Sequence, residues 1–412
     1  MKMIKKLFLS ELGIGAIVLF ITMNFVNLLN FLIHFSMGRL LGPEDYGVFA
    51  VLMSLIFIYN IPTEAIQNII SRYTSTFNLK KQNGRIKFLM NTSLKKALIF
   101  SWWIFVLSVI FALFLSKFLD INFWLILITN LTIFASFLSP VAKGVLQGRK
   151  KFGLLGNSLL IASLLKLFFA VSFVIFGFKV FGAIIGVVFG IFAGLIFSIY
   201  FNKDLFTAKE KRTSFNGIYL KSIPYFNSML VILFVFSLDI ILAKRFFSAD
   251  LAGKYAVLSM LGKIIFLGTI AVSKAMFPIT SESYDNHKES RWLFKKSFLV
   301  VSLLCIIAVA IYALFPELII KILYGSRYAD MAPYLIYSGI ALSFLSLSNL
   351  ILIYGLSTNQ LRKSPYLFIF LAIEIALFYF FHKTILEYIL AFMVSNIIMF
   401  IGSLFFIKTK RN

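Results

Sequence analysis

Residues 37–55, MGRLLGPEDYGVFAVLMSL, return in altered form as residues 243–261, AKRFFSADLAGKYAVLSML. At a constant offset of 206, Arg39 falls on Arg245, Glu44 on Asp250, Gly47 on Gly253, Phe49 on Tyr255 and Ala50-Val51-Leu52 on Ala256-Val257-Leu258. The offset is half of the 412-residue chain. Each copy joins one apolar run to the next at the same place in its half, so the chain reads as two parallel repeats. Duplication of this kind is common in secondary transporters, which place their substrate site where the repeats meet.

Working outward, the rest of the chain is too apolar for a water-soluble globule. Hydrophobic residues make up 60%, with 50 phenylalanines, and charged residues only 14%, against roughly 45–50% and about 25% in an ordinary soluble domain. About 20 apolar residues span the hydrocarbon as a helix. Runs bounded by charges, Gly or Pro give twelve spans: 12–35, 46–70, 97–116, 121–141, 153–177, 180–201, 223–243, 254–277, 297–315, 333–357, 365–381 and 385–407. The opening MKMIKK imitates a signal peptide, but the apolar stretch behind it runs on to Phe35 with no small-residue cleavage site, which makes it a retained first span.

The net charge of +24 would suggest nucleic acid in a soluble protein. Here its distribution gives another cause. With the N-terminus inside, inside segments hold 28 Lys and Arg and outside loops 9, the asymmetry of the positive-inside rule. The expected protein is therefore an all-α, multi-pass protein of the cell membrane. Both termini are cytoplasmic, and two six-helix repeats surround a central cavity. The repeats form an N-terminal lobe, 1–201, a cytoplasmic linker, 202–222, and a C-terminal lobe, 223–412. The bilayer is a partner, nucleic acid is not, and a monomer is expected.

Several chemistries are excluded by what the loops lack. No GxxxxGK[ST] is present, so no nucleotide-driven motor is encoded. No loop carries HExxH, a paired-carboxylate cluster or a Ser/His/Asp set, and the longest, 71–96 and 202–222, are too short for a separate domain. No catalytic residue, cofactor or metal site is expected. The single cysteine, Cys305, lies in the apolar run VVSLLCIIAVA and reads as core or lipid-facing filler.

Four stretches resemble the polysaccharide-export flippases, Wzx-type, of the superfamily that also holds multidrug-toxin extruders and peptidoglycan-precursor flippases. They are GRLLGPEDYGVFAV, GVLQGRKKFG, DIILAKRFFSADLAGKYAVLSMLGKI and FPELIIKILYGSRYADMAPYLIYSG. The resemblance implies two six-helix lobes around a cavity and alternating access. It also implies, as cargo, an oligosaccharide linked to polyprenyl pyrophosphate or dolichyl phosphate and moved from the inner to the outer leaflet. Peptidoglycan-precursor flippases usually carry two extra C-terminal helices; the twelve runs here depart from that pattern and lower the expectation of a cell-wall precursor. The alternatives are a cation-drug antiporter of the same superfamily, against which the lysines in the spans argue, and a membrane glycosyltransferase or polymerase, against which the short outside loops argue.

Polar residues inside spans are the candidate site. Asn24, Asn27, Asn30 and His34 fall within an arc of about 120° on span 1. They can either hydrogen-bond sugar hydroxyls in a cavity or bond neighbouring helices; His34 has no second ligand placed to hold a metal with it. Lys263 and Lys274 lie within about 20° of each other on span 8, and Lys166 is in the middle of span 5. A lysine there costs at least ~2.5 kcal/mol on insertion scales, so an anionic phosphate head group is the functional reading. Snorkelling of Lys274 and a buried acid partner for Lys166, such as Glu374, are the structural ones. Glu64, Asp239 and Glu374 are candidates for a coupling proton or Na⁺, or else fixed partners of buried lysines. Pro62 should kink span 2 beside Glu64. Arg39 and Arg245, at matching repeat positions, either guide the head group on release or anchor span ends. Gly182, Gly186, Gly190 and Gly194 form a small-residue ladder for close helix packing.

Overall fold

A computed structural model of the chain describes residues 11–213, 223–285 and 290–406. The basic chain ends, and residues 214–222 of the expected linker, lie outside the described residues. The described chain is helical almost throughout. The helices are α1 (Glu11–Leu41), α2 (Pro43–Tyr59), α3 (Ile61–Leu79), α4 (Asn83–Leu119), α5 (Phe123–Asn130), α6 (Thr132–Gly148), α7 (Phe152–Phe173) and α8 (Lys179–Tyr200). After the linker come α9 (Ile223–Phe246), α10 (Ala249–Asp285), α11 (Arg291–Leu314), α12 (Pro316–Leu323), α13 (Leu335–Ser357), α14 (Phe368–Phe380) and α15 (Ile385–Leu404).

Among the described residues nine helical stretches are long and apolar enough to cross a membrane, and Ser364–Phe380 is a shorter apolar one. One of the nine, Phe152–Tyr200, is two crossings, because Gly177 in the left-handed region (φ +91°) turns α7 back into α8. With the 31-residue α1, the described residues hold twelve crossing segments, as the apolar runs require.

The helices outrun the apolar runs. The stretch 71–96, expected as a loop, is α3 and α4 meeting at a turn around Lys80–Gln82. Hydropathy registers only the part of a helix that faces lipid; beyond it, Ile70, Phe77, Ile86, Leu89 and Met90 bury one another and keep both helices wound. Pro62 does interrupt its span. The chain breaks at Asn60, Pro62 enters the first turn of α3, and the Asn60 side chain donates to the Ile56 carbonyl at 2.9 Å, so the carbonyl near the break keeps a partner.

The chain divides into two compact units, one of residues 1–40 with 55–222, the other of 41–54 with 223–412. In the first, α7 and α8 form an antiparallel hairpin closed by the glycine ladder. A Cβ on Gly182 would lie 2.8 Å from Phe173 Cβ, and one on Gly194 2.7 Å from Ala162 Cβ, while Gly186 faces the Ala170 backbone. In the second unit, α13 is buried along almost its whole length, and Ser338 and Tyr312 donate to the carbonyls of Leu258 (2.8 Å) and Leu261 (2.7 Å) on α10. Residues 41–54 join this unit where the repeat copies touch: a Cβ on Gly47 would lie 3.0 Å from Gly253 Cα. Small side chains at these equivalent positions allow the approach.

Candidate functional site

The polar face of the first unit is built on α1 and α7. Thr22 packs on Gly156, and two turns further along α1 the Lys166 ammonium donates to Asn30 Oδ1 at 2.6 Å. Gly190 on α8 lies against the Lys166 stem and backbone, where any side chain would collide. Asn24 is exposed, Asn27 and Asn30 are half-buried and His34 is buried, so the arc of polar side chains expected on span 1 grades from an open end to a packed one.

Lys143 belongs to the same region. By hydropathy it falls in the inside loop after the run 121–141, yet it sits on α6 and lies near enough to Lys166 for the two charges to act on each other. Hydropathy hides it, because α6 carries Lys143 just past the end of its apolar run. Gln67 and Gln147 are bonded to each other at 2.8 Å between α3 and α6.

The second unit holds a buried charged cluster. Lys263 is 1% exposed and Asp239 fully buried, with the ammonium 3.1 Å from Asp239 Oδ1. Asp239 Oδ2 also accepts from Tyr255 (3.2 Å) and from Ser259. The Tyr388 hydroxyl donates to the Asp239 carbonyl at 2.6 Å, and the Lys263 ammonium lies 4.8 Å from the centroid of the Phe236 ring. Glu374 is buried in the field of this pair, and among the described residues its two carboxyl oxygens accept no hydrogen bond. From the sequence Lys263, Asp239 and Glu374 stand out as charges in spans, whereas Tyr255 appears only as a repeat position and Tyr388 not at all. The spacing Tyr255, Ser259, Lys263, one residue per turn on one face, was the available signal for the first. Their repeat counterparts at the same offset are Phe49, Met53 and Phe57, so the cluster belongs to one half alone.

Arg39 is exposed, its guanidinium 4.8 Å from the centroid of the Phe35 ring. Arg245 and Lys274 are exposed, and Glu64 is half-buried on α3. Among the described residues no group of His, Cys, Asp or Glu could hold a metal ion.

A family model described as polysaccharide biosynthesis protein matches residues 36–333, well over half of the chain. The chain belongs to that family. Within the span of the match lie the repeat segments, Lys166 and the Asp239–Lys263 pair. A Shigella flexneri protein assigned as an O-antigen transporter is 24% identical over 306 residues, 71% of this chain and 72% of its own.

The fold has solved counterparts. An inward-facing multidrug resistance MATE family transporter of the MOP superfamily superposes with a TM-score of 0.76 at 15% identity, over 95% of this chain and 97% of that one. A MOP superfamily transporter from Pyrococcus furiosus superposes with a TM-score of 0.65 at 17% identity, over 95% of each chain. At such identities the likeness is one of fold. This member of the polysaccharide biosynthesis protein family therefore has the fold of the solved multi-pass transporters of the MOP superfamily.

Proposed function

We propose that the protein carries a lipid-linked oligosaccharide, a polysaccharide precursor, from the cytoplasmic to the outer leaflet of the cell membrane by alternating access, working as a monomer with both termini cytoplasmic. The observation that carries this reading is Lys166 on its asparagine-lined face. A membrane-embedded ammonium bonded to a neutral amide is not neutralised by that partner and has further N–H donors for a phosphate or pyrophosphate, and Asn24, Asn27 and Asn30 offer donors and acceptors to sugar hydroxyls. The polyprenyl or dolichyl tail needs no such partners and stays in the bilayer, whereas a sugar drawn through hydrocarbon without hydrogen bonds would cost many kcal/mol.

Energy coupling, in this reading, belongs to the acids. Glu374, buried beside Asp239 and Lys263, has the setting of a group that binds and releases a cation, and Glu64 beside the break at Asn60 is the counterpart in the first unit. Family membership and the Shigella flexneri relative support the cargo class.

Deleting the gene in its host tests the proposal. Surface polysaccharide is expected to disappear while lipid-linked precursor accumulates inside, and the wild-type gene but not Lys166→Ala restores it. Loss of the precursor itself would place the protein in synthesis and overturn the reading.

A further inference from the structure

On the Lys/Arg-rich side of the first unit, a cavity of about 660 Å³ opens between α4 and the linker. Phe88, Asn91, Thr92 and Lys95, one face of α4, form one wall, and Glu210 and Arg212 the other. The linker wall is built, not draped. Lys87 Nζ donates to the carbonyls of Phe206 (2.6 Å) and Ala208 (3.0 Å), the Lys211 amide to the Gly84 carbonyl (3.1 Å), and Asn91 Nδ2 to Glu210 Oε2 (3.3 Å).

Two features of this cavity are unexplained by folding. Lys95 and Arg212 make no hydrogen bond or ion pair among the described residues, while Glu210 is engaged by Asn91, so the lining keeps a net positive charge. The face of α4 that carries Lys95 then continues into exposed Ile99, Trp102 and Trp103. At 100° per residue these four lie within about 100° of arc, and Trp102 is about 10 Å along the axis from Lys95. Tryptophans mark the membrane interface, so one helix face presents phosphate-binding groups at head-group level and apolar surface at acyl-chain level.

We infer that this cavity binds the phosphate of an anionic membrane lipid, with Lys95 and Arg212 as its cations, Thr92 as a hydroxyl donor and Ile99, Trp102 and Trp103 alongside the acyl chains. Zwitterionic lipids offer the same phosphate but bring a cation that the lining repels. The site is separate from Lys166 and from the transport reading.

Native mass spectrometry of the purified full chain, titrated with phosphatidylglycerol, phosphatidylcholine or glycerol 3-phosphate, tests this. Phosphatidylglycerol should bind in preference to phosphatidylcholine. The Lys95→Gln/Arg212→Gln double variant should weaken it about 30-fold, from about fivefold lost per basic group near the surface. Lys80→Gln/Lys81→Gln, an exposed basic pair on the same side, should leave it unchanged, with gel filtration confirming that both variants fold. Equal binding by wild type and the Lys95/Arg212 variant would overturn the proposal. So would glycerol 3-phosphate binding as tightly as the lipid with the same dependence on Lys95 and Arg212, which would make the ligand a soluble phosphate.

Discussion

The Lys166 ammonium is held by the amide oxygen of Asn30, 2.6 Å away on another helix, whereas Lys263 is held by the carboxylate of Asp239 at 3.1 Å. The two membrane lysines thus differ in what remains of their charge. Asn30 orients Lys166 without neutralising it; Asp239 neutralises Lys263.

For Lys166 the expected consequence is a transport defect without a folding defect. Lys166→Ala should reach the membrane at near wild-type level and cut transport by about 10- to 100-fold, the range of a lost charge-assisted hydrogen bond. Lys166→Arg should retain more activity than Lys166→Ala, and Asn30→Ala should lie between wild type and Lys166→Ala. Transport of labelled precursor in membrane vesicles, normalised to protein level, checks all three.

For Lys263 the order reverses. Removing the ammonium strands a fully buried carboxylate, which costs about 3–5 kcal/mol in buried pairs. Lys263→Met should lower the melting temperature sharply, and Asp239→Asn/Lys263→Met should recover most of the loss. Equal melting of the single and double variants would mean that the pair is not energetically coupled.

These two lysines also mark how much the sequence could disclose. The spans, their number and the duplication were legible because hydropathy and a repeat are properties of the chain itself. Lys166 and Lys263 stood out for the same reason, since a charge in an apolar run is costly wherever the run goes. Their partners were not legible: Asp239 is 24 residues from Lys263 and Asn30 is 136 from Lys166, separations that only packing closes. Lys143 escaped because α6 outlasts its apolar run, and the 71–96 helices because their buried contacts lie beyond the lipid.

The glycine ladder makes a sharper packing prediction. A side chain on Gly186 meets the Ala170 backbone, which has no flexible end to move aside. Gly186→Leu should separate α7 from α8 and reduce the yield of folded protein severalfold, while Gly153→Leu, where a Cβ meets nothing within 4 Å, should be tolerated. Fluorescence-detected gel filtration of the two variants measures the difference.

Acid should release the linker only at extreme pH. Arg149 and Lys151 hold the Asp204 carboxyl well below its ordinary value of 3.8, overcoming the opposing effect of partial burial. A depressed carboxylate contributes stability that is present above the unfolded value and lost as pH falls through the folded one. A spin label at Thr207→Cys in a Cys305→Ala background should therefore keep its restricted spectrum from pH 8 to about pH 4. With Arg149→Ala added, the label should loosen even at neutral pH.

The central claim is transport of a lipid-linked oligosaccharide, and movement of that molecule is its most direct test. The purified protein can be placed in liposomes whose lipid-linked oligosaccharide carries a fluorophore on its sugar, with the outward-facing label quenched by a membrane-impermeant reductant. Wild-type vesicles should lose nearly all of the signal as inner-leaflet label reaches the outside, while empty vesicles and those with Lys166→Ala stop near half. Loss that stops near half in wild-type vesicles, with and without an imposed ion gradient, would contradict the account.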